Sequence, residues 1–191
     1  MFYRLLTVEA TEYRQINPDA TGDSLVTSYS GNFDAVTRNP TASQFAFAYS
    51  ADPLALDPVW QIYKNSTVSI TGATLLSSTQ FRFVGSIQFT PDGSLVVFTG
   101  SVAEGEFGVY RVSSGGTGQL RLDDGEEADV DGSGTKIVYT KLDGASGKGE
   151  IWTMNLDGSS QTRLTSNTHE DWFPQWSKDG TKICFYTVRV G

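Results

Sequence analysis

The chain has 191 residues, 38% of them apolar and 12% aromatic, with 20 glycines, 6 prolines and a formal charge of −8 at pH 7. That length suffices for a single domain with a sizeable core, and the acidic balance argues against nucleic acid as a partner, since phosphate binding relies on clustered Lys and Arg. No run of 18 or more apolar residues exists to make a membrane-spanning helix, and the single Cys184 cannot close an internal disulfide.

From the N-terminus, Phe2-Tyr3-Arg4-Leu5 and Tyr13-Arg14-Gln15-Ile16 read as short strands, and the apolar stretch before Glu9 and Glu12 is too short for a secretory signal. Residues 17–32, rich in Ser, Thr, Gly and Asp, form a long connection in which Ser24-Leu25-Val26-Thr27-Ser28-Tyr29 is either surface loop or an irregular strand. A first, degenerate unit covers 33–80. Its hairpin runs from Phe33 to Thr37 and from Gln44 to Ser50 through Asn39-Pro40-Thr41-Ala42. A loop follows at 51–58, where Pro53 and Pro58 forbid a central strand. A third strand is expected at Val59-Trp60-Gln61-Ile62 and a fourth near Thr74-Leu75-Leu76. Asn65-Ser66-Thr67 fits the glycosylation tripeptide, which matters only in a eukaryotic secreted protein.

The unit then repeats more cleanly. Phe89-Thr90-Pro91-Asp92-Gly93-Ser94-Leu95-Val96-Val97-Phe98 is matched by Val130-Asp131-Gly132-Ser133-Gly134-Thr135-Lys136-Ile137-Val138-Tyr139 and by Trp176-Ser177-Lys178-Asp179-Gly180-Thr181-Lys182-Ile183-Cys184-Phe185. The spacings are 130 − 89 = 41 and 176 − 130 = 46 residues. An apolar residue, a tight Gly turn and a β-branched or aromatic run describe a hairpin of antiparallel strands. Val109-Tyr110-Arg111-Val112 and Ile151-Trp152-Thr153-Met154 follow as third strands, then Gln119-Leu120-Arg121-Leu122 and Gln161-Thr162-Arg163-Leu164 as fourth strands. Residues 85–124 and 128–166 are therefore complete units, and 173–191 supply two strands of another. Sustained helical periodicity is absent.

A repeat of roughly 40 to 45 residues built from short strands is the mark of a β-propeller blade. The expected fold is all-β, one domain over 1–191, with about four blades of four antiparallel strands. Residues 1–16 are expected to complete the last blade as its third and fourth strands, since an open sheet edge invites pairing, giving a monomer rather than strand exchange between chains. Tyr3, Trp60, Tyr110 and Trp152 are expected at equivalent places in third strands, and Cys184 as a small buried apolar side chain.

Phe89-Thr90-Pro91-Asp92-Gly93 and Trp176-Ser177-Lys178-Asp179-Gly180 resemble the W/F-S-P-D-G phrase of the TolB-type propeller repeat, related to WD40-like and PD40 repeats. Ile151-Trp152-Thr153-Met154-Asn155-Leu156-Asp157-Gly158 with Thr162-Arg163-Leu164-Thr165 resembles that repeat's second half. The resemblance runs from about Gly85 to Gly191; Ser133 and Thr41 depart from it at the Asp position of the turn. It implies a periplasmic or extracellular binding or scaffolding module without enzymatic activity. Alternatives are the accessory propeller of a peptidase or lyase, and a lectin-like carbohydrate-binding module. The repeat is common to all of these and implies fold before function.

Asp123-Asp124-Gly125-Glu126-Glu127-Ala128-Asp129-Val130-Asp131 places six carboxylates in nine residues, with a counterpart in His169-Glu170-Asp171-Trp172. Loops between blades crowd at one face of a propeller, so Glu126, Glu127, His169, Glu170, Asp171 and Trp172 form the expected face for a protein partner, with Trp172 either its apolar anchor or a structural residue. Ca²⁺ favours such oxygen-rich clusters, but the spacing of a calcium loop is missing and no cofactor is expected. His169 is the only histidine and no G-x-S-x-G elbow accompanies it, so no catalytic residue is assigned. Gly144-Ala145-Ser146-Gly147-Lys148-Gly149 fails the phosphate-loop spacing and reads as a hairpin tip.

Overall fold

A computed structural model describes residues 2–6, 11–15, 24–29, 33–51 and 58–189, and every regular element among them is a β-strand. Strands β1 (Phe2–Leu6), β2 (Thr11–Gln15) and β3 (Ser24–Tyr29) make a three-stranded antiparallel sheet. Three four-stranded sheets follow. The first holds β4 (Phe33–Arg38), β5 (Phe45–Tyr49), β6 (Gln61–Asn65) and β7 (Thr74–Leu75); the second, β8 (Phe83–Phe89), β9 (Leu95–Ser101), β10 (Phe107–Ser113) and β11 (Leu120–Asp124). The third holds β12 (Glu126–Val130), β13 (Lys136–Leu142), β14 (Gly149–Asn155) and β15 (Thr162–Arg163), and β16 (Glu170–Trp176) pairs with β17 (Ile183–Val188) in a sheet of two. Strands pair in chain order, and the first strands β4, β8, β12 and β16 lie against one another in succession. None of the described residues forms a helix able to cross a membrane.

The second strand of each complete sheet is covered on both faces, which is why its sequence is an unbroken apolar run rather than an alternating one. Phe45-Ala46-Phe47, Val96-Val97-Phe98 and Ile137-Val138-Tyr139 are all buried. One core cluster links the β4–β7 and β8–β11 sheets through Ala46, Ile62, Leu76, Phe81, Val84 and Phe98; another links Val97 and Val109 to Val130, Ile137 and Met154 of the following sheet.

The recurring hairpin keeps one turn geometry while its acceptor side chain moves. In the second sheet Asp92 accepts hydrogen bonds from Thr90 Oγ1, the Ser94 backbone N–H at 3.0 Å and Ser94 Oγ at 2.8 Å. Asp179 likewise accepts from Ser177 Oγ and the Thr181 backbone N–H. The Thr90 and Ser177 hydroxyls lead in holding these two carboxyls at about 2. Where Ser133 replaces this aspartate, Asp131 serves from two residues earlier, accepting from Thr135 N at 2.7 Å and Lys136 N at 2.8 Å. Where Thr41 stands, Asn39 accepts from its N–H at 2.9 Å and its hydroxyl at 3.0 Å.

Register corrects three sequence expectations. Tyr110 stands opposite Phe98 and Trp152 opposite Tyr139, but in the first complete sheet the residue opposite Phe47 is Tyr63. The third strand is β6, Gln61–Asn65, and Trp60 instead makes a single bridge with Phe81 before the strand begins. Ser24–Tyr29 is a strand, paired with β2, so among the described residues β1 and β2 share a sheet with it and not with β16 and β17. Among the described residues, the expected pairing of β1 and β2 with β16 and β17 is therefore not formed. Cys184 is exposed, not buried, because β17 has no third strand beside it among the described residues. Tyr3 pairs with Arg14, and its side chain lies outside the described atoms; residues 7–10, 16–23, 30–32 and 52–57 lie outside the described residues.

Candidate functional site

Each first strand is interrupted by a β-bulge. The ladder slips between Asp34 and Thr37, Val84 and Ile87, Glu126 and Asp129, and Trp172 and Gln175. In three of the four the residue three places before the strand's end has positive φ: Ala35 at 47°, Glu127 at 57° and Phe173 at 55°. Such a conformation is uncommon for a residue with a Cβ, and a bulge re-aims the side chains around it. β8 slips one residue earlier, over Gly85 and Ser86, and Thr99 Oγ1 accepts the Ser86 backbone N–H at 3.0 Å.

The bulges of β8, β12 and β16 border a cavity of about 490 Å³. Phe83 and Phe173, exposed to 49% and 65%, stand on it beside Glu126, Asp129 and Gln88. Its frame is held by side chains that reach from one sheet to backbone N–H groups of the next. Glu127 Oε2 accepts the Phe173 N–H at 2.7 Å and the Thr140 hydroxyl at 2.8 Å. Asp129 Oδ2 accepts the Trp176 N–H at 2.7 Å, and Gln88 Oε1 accepts the Val130 N–H at 3.2 Å. Gln88 and Asp129 occupy the same place in the repeat, one residue before the apolar end of the strand. Sequence reading missed them; the signal was the polar residue recurring directly before Phe89, Val130 and Trp176.

The acidic run does not act as a unit. Asp123 accepts from Tyr139 OH at 2.6 Å and pairs with Lys141 Nζ at 2.7 Å, and burial, with this bond, raises the phenol beyond its ordinary range. Asp124 pairs with Arg121 at 2.5 Å; Glu127, Asp129 and Asp131 hold backbone groups. Glu126 differs. Its carboxyl has no hydrogen-bond partner among the described residues, it is half-buried, and it stands between the cavity above and a second one of about 550 Å³ lined by Tyr110, Arg121 and Lys141. Burial, then the neighbouring Glu127, raises its carboxyl; burial likewise raises Asp129. Among the described residues no group of three or more His, Cys, Asp and Glu is placed to hold a metal ion.

A raised carboxyl favours the neutral form in the folded state, so ionised Glu126 weakens folding as pH climbs above the ordinary carboxylate range. Glu126→Gln is expected to raise the thermal midpoint at pH 7 and to leave it unchanged at pH 3.5–4. Equal gains at both pH values in a melting series monitored by circular dichroism would contradict this.

The six residues of the expected face are distributed unevenly. Glu126, His169 and Glu170 keep access to solvent. Asp171 does not: it is 0% exposed, its Oδ2 accepting from Asn167 Nδ2 at 2.7 Å. Trp172 belongs to β16 and not to the loop, with its indole N–H directed at Glu170 at 3.3 Å. A Cβ added at Gly149 would meet the Trp172 ring at 2.6 Å, so this glycine is what lets the indole lie flat on β14. Glu127 is a brace between sheets, so its charge reversal tests the framework along with any surface.

No protein-family model matches the sequence. An uncharacterized protein of Agrobacterium fabrum is 30% identical over 101 residues, which are 51% of this chain and 33% of that protein. TolB from Acinetobacter baumannii superimposes with a TM-score of 0.69 at 22% identity, over 96% of this chain and 46% of that one. An oligogalacturonate lyase solved with manganese superimposes with a TM-score of 0.65 at 12% identity, over 91% of this chain and 54% of that one. The chain thus spans about a third of its curated relative and under half of the Acinetobacter protein. With sheets paired in chain order, first strands in succession and these likenesses together, the chain has the fold of a TolB-type β-propeller.

Proposed function

We propose that this chain is a binding module that takes a basic segment of a protein partner at the cavity bordered by the β8, β12 and β16 bulges. The observation that carries the reading is the pairing of two exposed aromatic rings, Phe83 and Phe173, with the unpartnered, half-buried carboxyl of Glu126. A Lys or Arg head gains from a carboxylate and from aromatic faces together, and an arriving cation would favour the ionised form of Glu126 that burial disfavours. His169 and Glu170 extend this acidic face. The module is non-enzymatic in this reading and works in the periplasm or outside the cell, as the resemblance to TolB-type repeats implies. The second reading, an accessory propeller beside a lyase or peptidase catalytic domain, draws on the likeness to the oligogalacturonate lyase.

The test is a fluorescence anisotropy titration with a dye-labelled tetra-arginine peptide, and a tetra-glutamate peptide as control. Saturable binding of the basic peptide only is expected, weakened about tenfold by Glu126→Gln or Phe173→Ala, as for loss of ~1.4 kcal/mol. Titration curves that coincide for the wild-type chain and both variants would refute the site.

A further inference from the structure

The second cavity, of about 550 Å³, is lined by residues between Val102 and Leu142, which belong to the complete sheets β8–β11 and β12–β15 and to the turn between β9 and β10. Its two cations are already engaged. Arg121 pairs with Asp124 at 2.5 Å and donates to the Phe107 carbonyl at 3.2 Å, while Lys141 pairs with Asp123 at 2.7 Å. Two carboxylates of the lining are left uncompensated. Glu126 is one, and Glu106 is the other, exposed in the turn and with no side-chain hydrogen bond or ion pair among the described residues. A positively charged guest is therefore favoured here over an anion, although an arginine and a lysine stand in the wall.

This cavity is continuous with the first along one wall. Glu126 lines both, and Phe83 of the first meets Phe107 of the second edge-on, with ring centroids 5.7 Å apart. The register explains that contact. Phe83 and Phe107 both stand opposite Ser101, one on each side of β9, so their backbones are two strand spacings apart, about 9–10 Å. Each cavity thus offers one uncompensated carboxylate and one aromatic ring at its edge, Glu126 with Phe83 in the first and Glu106 with Phe107 in the second.

We infer that the basic segment recognised by this chain carries two basic side chains three residues apart, the first against Glu126 and the second against Glu106. In the polyproline II conformation usual for unfolded segments, residues three apart lie on the same side of the chain and about 9.3 Å from one another, which matches the offset of the two rings. Adjacent basic residues point in different directions and are only about 3 Å apart along the segment, so one of them is left in solvent. This inference rests on the reading of the first cavity as a cation site and adds a second recognition point to it.

Residue-resolved ¹⁵N NMR titrations at low salt test it with two end-capped tetrapeptides of equal charge, Arg-Gly-Gly-Arg and Arg-Arg-Gly-Gly. The expected result is that Arg-Gly-Gly-Arg binds the wild-type chain about fivefold more tightly, the upper range for an exposed ion pair, and shifts the Gly105 and Glu106 amides. Glu106→Gln lies in an exposed turn and is expected to erase the difference while leaving the affinity for Arg-Arg-Gly-Gly unchanged. Equal affinities of the two peptides for the wild-type chain overturn the inference. So does a Glu106→Gln variant that weakens both peptides alike, since charge then acts as a general field and not at a site. The first cavity is judged separately: with either of those outcomes, a loss of affinity in Glu126→Gln and Phe173→Ala sinks only the second recognition point. If those two variants bind both peptides as the wild-type chain does, the first cavity is not the site and both readings fall.

Discussion

Arg163→Ala is expected to lower the free energy of unfolding by about 3 kcal/mol, the lower end of the range for breaking a buried ion pair. Arg163 Nη2 lies 2.8 Å from Oε1 of Glu150, which is 1% exposed, and Thr165 Oγ1 donates to the other oxygen at 2.6 Å. Removing the guanidinium strands a carboxylate with one neutral donor between β14 and β15. The lower end applies because Arg163 itself is partly open to solvent, so water can enter the space it vacates. Urea denaturation measures the loss. The double replacement Glu150→Met/Arg163→Met should recover most of it, since paired apolar residues avoid the desolvation cost of both charges. A loss below ~1 kcal/mol for the single variant would mean that Glu150 is hydrated in the folded chain.

Phe98→Ala is expected to cost about 3–5 kcal/mol. Phe98 stacks on Tyr110 with centroids 5.3 Å apart and meets Phe81 edge-on at 5.4 Å, while Phe81 and Tyr110 close the triangle at 5.1 Å. Phe81 comes from the segment joined to Trp60, so the same rings hold the β8–β11 sheet to the preceding one. Phe185→Ala removes the equivalent ring of β17 and is expected to cost under ~1.5 kcal/mol in dilute solution, because that ring is already partly in water. Comparable losses for both variants, in urea titrations at low protein concentration, would show that Phe185 is covered in the folded chain.

The same pair of residues shows where sequence reading succeeds and where it stops. The phrase ending in Phe98 recurs as the phrases ending in Tyr139 and Phe185, and from its spacing, its turn residues and its apolar run the strands of the second to fourth units could be placed. These are local properties: a Gly turn and a β-branched run specify a hairpin whatever lies around it. The recurring phrase also located the fourth strands, whose arginines stand opposite the third-strand aromatics, Arg121 opposite Tyr110 and Arg163 opposite Trp152. In the degenerate unit the local signal misled, since Val59-Trp60-Gln61-Ile62 has the right order of residue types three places too early, and only pairing with Phe47 identifies Tyr63 as the true equivalent.

The candidate site was half legible. Its carboxylates stood out as a run, yet their directions did not, because alternation along β12 and the bulge at Glu127 send neighbouring side chains to different partners. Asp123 goes to Lys141, Glu127 to Phe173, Asp129 to Trp176 and Asp131 to its own turn, leaving Glu126 on the cavity wall. The sequence by itself determined the repeat, its hairpins and the all-β class, since each depends on residues close together in the chain. Tertiary structure alone decided which acid lacks a partner, which aromatic rings reach solvent and which strand edges stay open, because each of these depends on what a neighbouring sheet, far away in sequence, places alongside.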